Sequence, residues 1–319
     1  MDSMSLISLL ADGQFHSGSA LGSTLGVSRT TVWKALAVLP EYGLELETVK
    51  GKGYRLSCPV QLLDQGVILH GIESPIRNRL SLTLLPVVDS TNSELMRLGE
   101  GENEFSVLLA EMQTSGRGRR GREWVSPFGK NIYLSMAFGL PGGPEVLAGL
   151  SVVVGLSLSK VLSRHANKAL KLKWPNDVMI DGRKLAGVLV ELKGEATTAW
   201  SVVLGVGLNY DMKEDGENGI DQPWASLRDF SSVGRNELIA ELIQQLVVDL
   251  DQFRLSGFSR FREEWNGLDF FAGKEVGVVG QAIIGRSLGV DAKGNLVIDA
   301  ASGKQTVNAG EVSVRARSA

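Results

Sequence analysis

Apolar and polar positions along this chain follow two periods, and the switches between them divide the sequence into segments. Residues 6–10 carry apolar side chains at helical spacing and stop at Asp12-Gly13. A second short helix is expected over 17–25, then a tight turn at Gly26-Val27. A third helix runs from the N-cap Ser28 to about residue 39. Two helices joined by such a turn have helix-turn-helix spacing, in which the second helix enters the major groove of DNA. Ser28, Arg29, Thr30, Thr31 and Lys34 occupy its early turns. Residues 49–56 read as a β-hairpin wing that places Lys50 and Lys52 for phosphates. The same pattern also fits a small helical bundle used for protein contact.

Farther on, strand-like runs at 80–88, 106–110, 131–138, 170–174, 188–192 and 200–208 are interleaved with helical runs at 145–162 and 236–253. This describes a mixed sheet covered by helices. Residues 61–65 form a linker and 216–221 a surface loop. Beyond 270, short β-branched runs at 275–279, 282–290, 296–299, 304–307 and 312–314 alternate with glycines and suggest a small barrel. The fold class is therefore α/β (α+β) in three domains: a winged helix-turn-helix at 1–60, a mixed-sheet domain at 66–270 and a β-barrel at 271–319. No internal repeat is visible.

Composition narrows the function classes. A net charge of −3 over 319 residues excludes a general polyanion binder. The single cysteine, Cys58, excludes a disulfide framework, and His16, His70 and His165 lack metal-ligand spacing. The apolar stretch 146–162 is broken by glycines and serines, so it reads as a buried helix rather than a membrane span. With no leader-like start, a soluble cytoplasmic protein is expected. Within residues 1–60, Arg29, Lys34, Lys50, Lys52 and Arg55 balance Asp2, Asp12, Glu41, Glu45 and Glu47. Phosphate contacts supply most non-specific DNA affinity, so one such module should bind weakly unless two act together.

Chemistry concentrates at Gln113-Thr114-Ser115-Gly116-Arg117-Gly118-Arg119-Arg120-Gly121-Arg122, with four arginines in six residues. Glycine frees the backbone to lie close to a ligand, and the guanidinium fork matches carboxylate and phosphate. Alone, the segment fits a loop that closes over an anion equally well as a basic surface or nucleic-acid patch.

Further segments extend the pattern: Asp89-Ser90-Thr91-Asn92, residues 126–136 (SPFGKNIYLSM), Lys173-Trp174-Pro175-Asn176-Asp177, Lys184-Leu185-Ala186-Gly187-Val188-Leu189-Val190-Glu191, and Gly205-Val206-Gly207-Leu208-Asn209. In this order they resemble the bacterial biotin protein ligases over nearly the whole chain. With the N-terminal helix-turn-helix, the resemblance narrows to the bifunctional ligase and biotin-operon repressor type. It implies a central domain related to class II synthetases, an SH3-like C-terminal barrel, and two reaction steps using ATP and Mg²⁺. Biotin's carboxylate attacks the α-phosphate of ATP, giving biotinyl-adenylate, and a lysine of a biotin carboxyl-carrier protein of acetyl-CoA carboxylase then attacks the anhydride.

The resemblance also assigns residues. Lys184 meets the biotin carboxylate and α-phosphate, where cationic stabilisation and positioning dominate catalysis. Arg117, Gly118 and Arg119 form the biotin and adenylate loop, with Arg119 the retaining cation. Arg120 and Arg122 face solvent, a partner subunit or the carrier. Ser90, Thr91, Asn92 and Gln113 hold biotin's ureido and thiophene end, and Gly187 and Gly207 allow close backbone approach. Trp124 stacks on adenine, and Asn176 and Asn209 contact the adenosine. Asp177 either holds Mg²⁺ or hydrogen-bonds a ligand. The resemblance further implies operator DNA as a partner and a homodimer formed on ligand binding. Lipoate ligases share the fold and a lysine motif. They follow their arginine-rich segment with consecutive glycines and a histidine, which this chain lacks. A non-enzymatic, ligand-sensing repressor is the other alternative, and the retained Lys184 and arginine loop argue against it.

Overall fold

The computed structural model describes residues 3–99, 103–141, 147, 149–193, 199–213, 219–309 and 313–316. At the N-terminus lie α1 (Ser3–Leu10), α2 (Gly18–Leu25), α3 (Arg29–Leu36) and the hairpin β1 (Leu46–Val49) and β2 (Gly53–Leu56). Ser17 and Ser28 cap α2 and α3 by accepting from the Ala20 and Thr31 amides. The third helix ends three residues earlier than the pattern suggested. Its continuation carries Pro40, which lacks the amide that a helix needs, and becomes a 3₁₀ turn over Leu39–Tyr42. Leu6, Ile7, Leu10, Leu21, Val32, Leu36 and Leu56 form the small core of this unit.

Two short helices, α4 (Gln65–His70) and α5 (Ser74–Arg77), open the central part. Then follow β3 (Leu80–Val88), α6 (Thr91–Leu98), β4 (Phe105–Gln113), β5 (Ile132–Pro141), α7 (Leu150–His165), β6 (Leu170–Lys173), β7 (Asp177–Ile180), β8 (Arg183–Lys193), β9 (Ala199–Leu208), α8 (Arg235–Ser256) and α9 (Arg262–Gly267). The seven strands lie in the order β3-β4-β5-β9-β8-β7-β6. Only β3 and β4 pair in parallel. The expected helix at 145–162 begins at Leu150, because Gly149 sits at φ 77° in the left-handed region. Residues 142–146 and 148, where the earlier start was expected, lie outside the described residues, as do 216–218 of the expected surface loop and 310–312 of the tail. Four-residue β7 was not expected; it is squeezed between Pro175 and the Asp181-Gly182 turn.

Alternation gives the sheet two distinct faces. On β9, Val202, Leu204, Val206 and Leu208 join the large core beneath α7 and α8. Val203 instead packs with Leu95 of α6, Leu108 and Ala137 on the opposite face. Gly205 and Gly207 share Val203's parity, and Gly187 of β8 is paired with Gly207. These glycines leave a bare strip of sheet, and the candidate site lies over it.

After α9 come β10 (Glu275–Val278), β11 (Ile284–Val290), β12 (Leu296–Ala300), β13 (Gly303–Val307) and β14 (Val314–Ala316). They form a five-stranded antiparallel sheet, SH3-like, in the order β13-β12-β11-β10-β14. No described helix is long and apolar enough to cross a membrane.

Candidate active site

Three loops and the C-terminal sheet converge over the glycine strip and enclose a cavity of about 460 Å³. Ser90, Thr91, Asn92, Gln113, Arg117, Gly118, Arg119, Trp124, Asn176, Asp177, Lys184, Gly187 and Gly207 all line it, although more than a hundred residues separate the first from the last. Seven cations on its wall (Arg117, Arg119, Arg120, Arg122, Lys173, Lys184 and Arg315) face three acids (Glu123, Asp177 and Asp221), so it suits an anion.

Lys184 enters at the start of β8. Its backbone amide donates to Pro223 O, and its carbonyl accepts from the Ala225 amide, both at 3.0 Å. Held this way, its ammonium reaches Asp177 Oδ1 at 2.8 Å, with both side chains largely buried. It also stands 5.3 Å from the Trp124 ring centroid. The Trp124 indole packs against the glycine strip: a Cβ on Gly207 would overlap it, and one on Gly187 would press it at 3.2 Å. The close approach expected at these glycines is thus made by Trp124.

The arginine loop is a compact turn. Gly118 N donates to Arg122 O at 2.7 Å, Trp124 N donates to Gly116 O at 2.9 Å, and Arg120 adopts φ 60°. Arg119 points inward, donating to Asn176 Oδ1 at 3.4 Å and to the Ala309 carbonyl in the segment after Val307 of the C-terminal part. Burial pulls its guanidinium below the usual arginine range, so an anion near it would restore what desolvation takes away. Arg120 reaches Ser313 Oγ at 3.3 Å, which makes the loop a bridge between the central and C-terminal sheets.

Opposite this basic end, α6 starts at the N-cap Ser90. Arg97 hydrogen-bonds the Asp89 carboxylate beside this cap and holds its carboxyl down at about 2. Gln113 Oε1 accepts from Thr91 N (2.9 Å) and Thr91 Oγ1 (3.1 Å), and Gln113 Nε2 donates to Ser126 Oγ at 3.0 Å. Ser126 Oγ in turn donates to Trp124 O at 2.8 Å. Ser135 Oγ lies 2.7 Å from Thr91 Oγ1 and 2.5 Å from Asn92 Oδ1. Asn92 Nδ2 donates to Glu191 at 2.8 Å, and Glu191 pairs with Arg117 at 3.1 Å.

Asn209 does not line the cavity. It is buried and donates through Nδ2 to the Lys184 carbonyl at 3.4 Å, because the chain after β9 turns back to bond Leu185 and Leu227. Its side chain braces the backbone of Lys184. Lys173 was missed, although it opens the Lys-Trp-Pro-Asn-Asp motif. It lies on the cavity wall, where burial lowers its pKa and Asp177 opposes the shift. Ser135 and Glu191 were missed because strand runs hide which face a polar residue takes. Among the described residues, no group of three or more histidines, cysteines or acids could hold a resident metal. Asp177 offers one carboxylate, already paired with Lys184.

At the N-terminus, Ser28, Arg29, Thr30 and Lys34 are exposed and Thr31 partly so, while Lys50 and Lys52 stand at the tip of the hairpin. Ser28 spends its oxygen on the α3 cap and on the Thr31 hydroxyl at 2.9 Å. Trp33, unflagged by the sequence pattern, is 61% exposed on the same helix.

Comparisons with known proteins match all three parts of the chain. The biotin/lipoate A/B protein ligase family model matches residues 84–209, an HTH domain model matches 4–55, and a biotin protein ligase C terminal domain model matches 271–315. The bifunctional ligase/repressor BirA of Salmonella typhimurium is 41% identical over 98% of this chain and 97% of its own length. The biotin–[acetyl-CoA-carboxylase] ligase of Paracoccus denitrificans is 32% identical over 72% of this chain and 98% of its own. The solved biotin protein ligase from Aquifex aeolicus in complex with biotin and ATP aligns at a TM-score of 0.65 and 30% identity, covering 74% of this chain and 99% of that one. Identity of this order along almost the whole length, with the helix-turn-helix in place, means that this chain belongs to the bifunctional biotin protein ligase and repressor family.

Proposed function

We propose that this chain carries out both activities of its family with the residues gathered at the cavity. It joins biotin to ATP as biotinyl-5′-AMP, transfers biotin to a carrier lysine, and uses the adenylate as corepressor for operator binding. The observation that carries this reading is the Lys184 ammonium, ion-paired to Asp177 at 2.8 Å and facing an arginine loop across a cavity floored by glycines. A biotin carboxylate oxygen bonds the α-phosphorus while the bond to pyrophosphate breaks. Lys184 neutralises charge on the attacking and equatorial oxygens. Lys173, whose charged form is disfavoured by burial, and Arg315 on the C-terminal sheet are placed to meet the departing phosphates. Asp177, whose Oδ1 holds Lys184, would be the residue to offer its other oxygen to a Mg²⁺ carried by the nucleotide, which would supply charge neutralisation at the phosphates. The carrier amine then attacks the anhydride carbonyl, AMP leaves, and the amine gives up a proton as the amide forms. The polar cluster Ser90, Thr91, Asn92 and Gln113 matches the donors and acceptor of a ureido ring. Transfer of labelled biotin to a purified carrier domain with ATP tests the assignment. Absence of both transfer and biotin-dependent pyrophosphate release would overturn it.

Retention of the adenylate is assigned to the loop, which shields the anhydride from water. Arg119→Gly should still form biotinyl-AMP but release it about one to two decades faster, the worth of a charge-assisted hydrogen bond in a shielded site. A dilution chase reads this directly; an unchanged half-life would remove Arg119 from the retaining role.

Repression is assigned to a homodimer. β8 outruns β7, whose pairing stops at the Asp177–Gly187 partners, so from 189 to 193 β8 bonds only β9 among the described strands. That overhang, with Leu192 41% exposed, is an edge on which a second copy can pair. Two copies of a charge-neutral helix-turn-helix would then reach two half-sites together. Sedimentation with and without biotin and ATP, run beside operator titration, should show that dimer and tight operator binding appear together. Tight binding by a ligand-free monomer would break the linkage. A carboxyl-carrier domain should compete with dimerisation, since it must reach the same loop.

A further inference from the structure

Glu191 is an acid beside a cavity built for anions, and the chemistry above gives it no task. It lies on the glycine face of β8, four residues from Gly187, with its side chain 24% exposed. As a stabilising ion pair it is a weak device, because its partner Arg117 is 45% exposed and such pairs are largely screened. As a bare charge it would repel the adenylate. Its geometry gives it a different role.

We infer that Glu191 is a positioning residue: it latches the arginine loop to the sheet through Arg117 and sets the orientation of the Asn92 amide at the biotin end of the cavity. This rests on the reading of that loop as the adenylate lid. An ionised carboxylate can only accept, so Asn92 must turn its amide nitrogen toward Glu191, at 2.8 Å. The Asn92 carbonyl then faces Ser135 Oγ at 2.5 Å, and that hydroxyl, which also lies 2.7 Å from Thr91 Oγ1, has the Asn92 oxygen as an acceptor. One fixed charge thus decides the donor and acceptor sense of the pocket wall next to Gln113. The same carboxylate grips Arg117, at the near end of the loop. At the far end Trp124 O is held by Ser126, which Gln113 also engages. Loop and biotin pocket are therefore tied into one hydrogen-bond chain with Glu191 as its anionic terminus. Without it, Asn92 is free to flip and Arg117 to swing away.

The test uses the full-length protein carrying Glu191→Ala and, preserving volume, Glu191→Gln. Two readouts are needed: trypsin cleavage at the loop arginines without ligand, followed by mass spectrometry, and steady-state KM for biotin and for ATP. For Glu191→Ala, loop cleavage should accelerate and KM for biotin should rise about tenfold or more, the scale of a charge-assisted hydrogen bond. KM for ATP should move less than about twofold, since Glu191 faces the biotin end. Glu191→Gln keeps an acceptor but loses the charge, and should fall between. Equal rises in both KM values, or wild-type cleavage together with wild-type KM for biotin, would overturn the inference. Faster cleavage with an unchanged KM for biotin would overturn the role given to Asn92, and the adenylate half-life in a dilution chase tests the lid reading separately.

Discussion

Replacing Lys184 with alanine is expected to slow adenylate formation by roughly 1.5 to 3.5 decades, the equivalent of about 2–5 kcal/mol lost when one partner of a desolvated charge pair is removed. The magnitude follows from placement. The ammonium sits in a largely buried position, aimed by backbone bonds to Pro223 and Ala225 and backed by the Asn209 amide on its own carbonyl. Little reorganisation is needed when charge develops on the phosphoryl oxygens, and that preorganisation is what alanine abolishes. A confounding effect can be separated. Alanine also strands the Asp177 carboxylate, which has lost its cation in a poorly solvated pocket. The double variant Lys184→Ala with Asp177→Asn removes that orphaned charge. If the defect came from the stranded carboxylate, the double variant would recover; if Lys184 serves the reaction, it should stay as slow as the single one. Biotin-dependent pyrophosphate release is the measurement, and a near-wild-type rate for Lys184→Ala would sink the assignment.

Why the sequence shows some of this and hides the rest is a matter of range. The run at 80–88 is β3 end to end, because Leu80, Leu82 and Leu84 alternate with Ser81 and Thr83 and turn residues flank the run. The arginine loop and the Lys184 motif were readable because glycines and charges crowd together in ways that a core does not need. Convergence of Ser90, Gln113, Lys184 and Gly207 on one cavity came from the family resemblance, since no periodicity in the chain encodes it. Asn209 shows what geometry adds to such carry-over: the motif residue assigned to adenosine also donates to the Lys184 carbonyl. Glu191 ends an apolar strand run, where a glutamate reads as solvent-facing. Only the positions of Arg117 and Asn92, 74 and 99 residues away, reveal that it is engaged. Arg235 is the clearest case. It opens a helix beside Asn236, in a place where a surface arginine is ordinary, yet none of it is exposed.

That arginine carries the second large expected effect. Arg235→Ala should cost about 3–5 kcal/mol of stability, the usual cost of breaking a buried ion pair from one side. Its Nη1 lies 2.6 Å from Glu111 Oε2, and it also donates to the carbonyls of Gln61 and Asn131. Alanine would leave a buried carboxylate and two carbonyls without this donor. Glu111 in turn accepts from the Leu63 amide at 2.5 Å, and Asn236 accepts from Asp64 N at 3.1 Å while donating to Leu62 O. Residues 61–64, which lead from the helix-turn-helix into the central part, are thus clamped rather than free. Val60 and Phe128 extend the N-terminal core onto the same spot. Strand β4 runs from Glu111 in the clamp to Gln113 in the cavity, so loosening one should be felt at the other. Urea unfolding gives the stability change, and amide exchange at Leu63 and Asp64 locates it. Those two amides should lose protection well before the strands do. Pairing Arg235→Met with Glu111→Leu should cost less than the sum of the single changes, because it removes both charges together. A loss below about 1 kcal/mol for Arg235→Ala, in the range of a surface pair, would mean that this network does not clamp the linker.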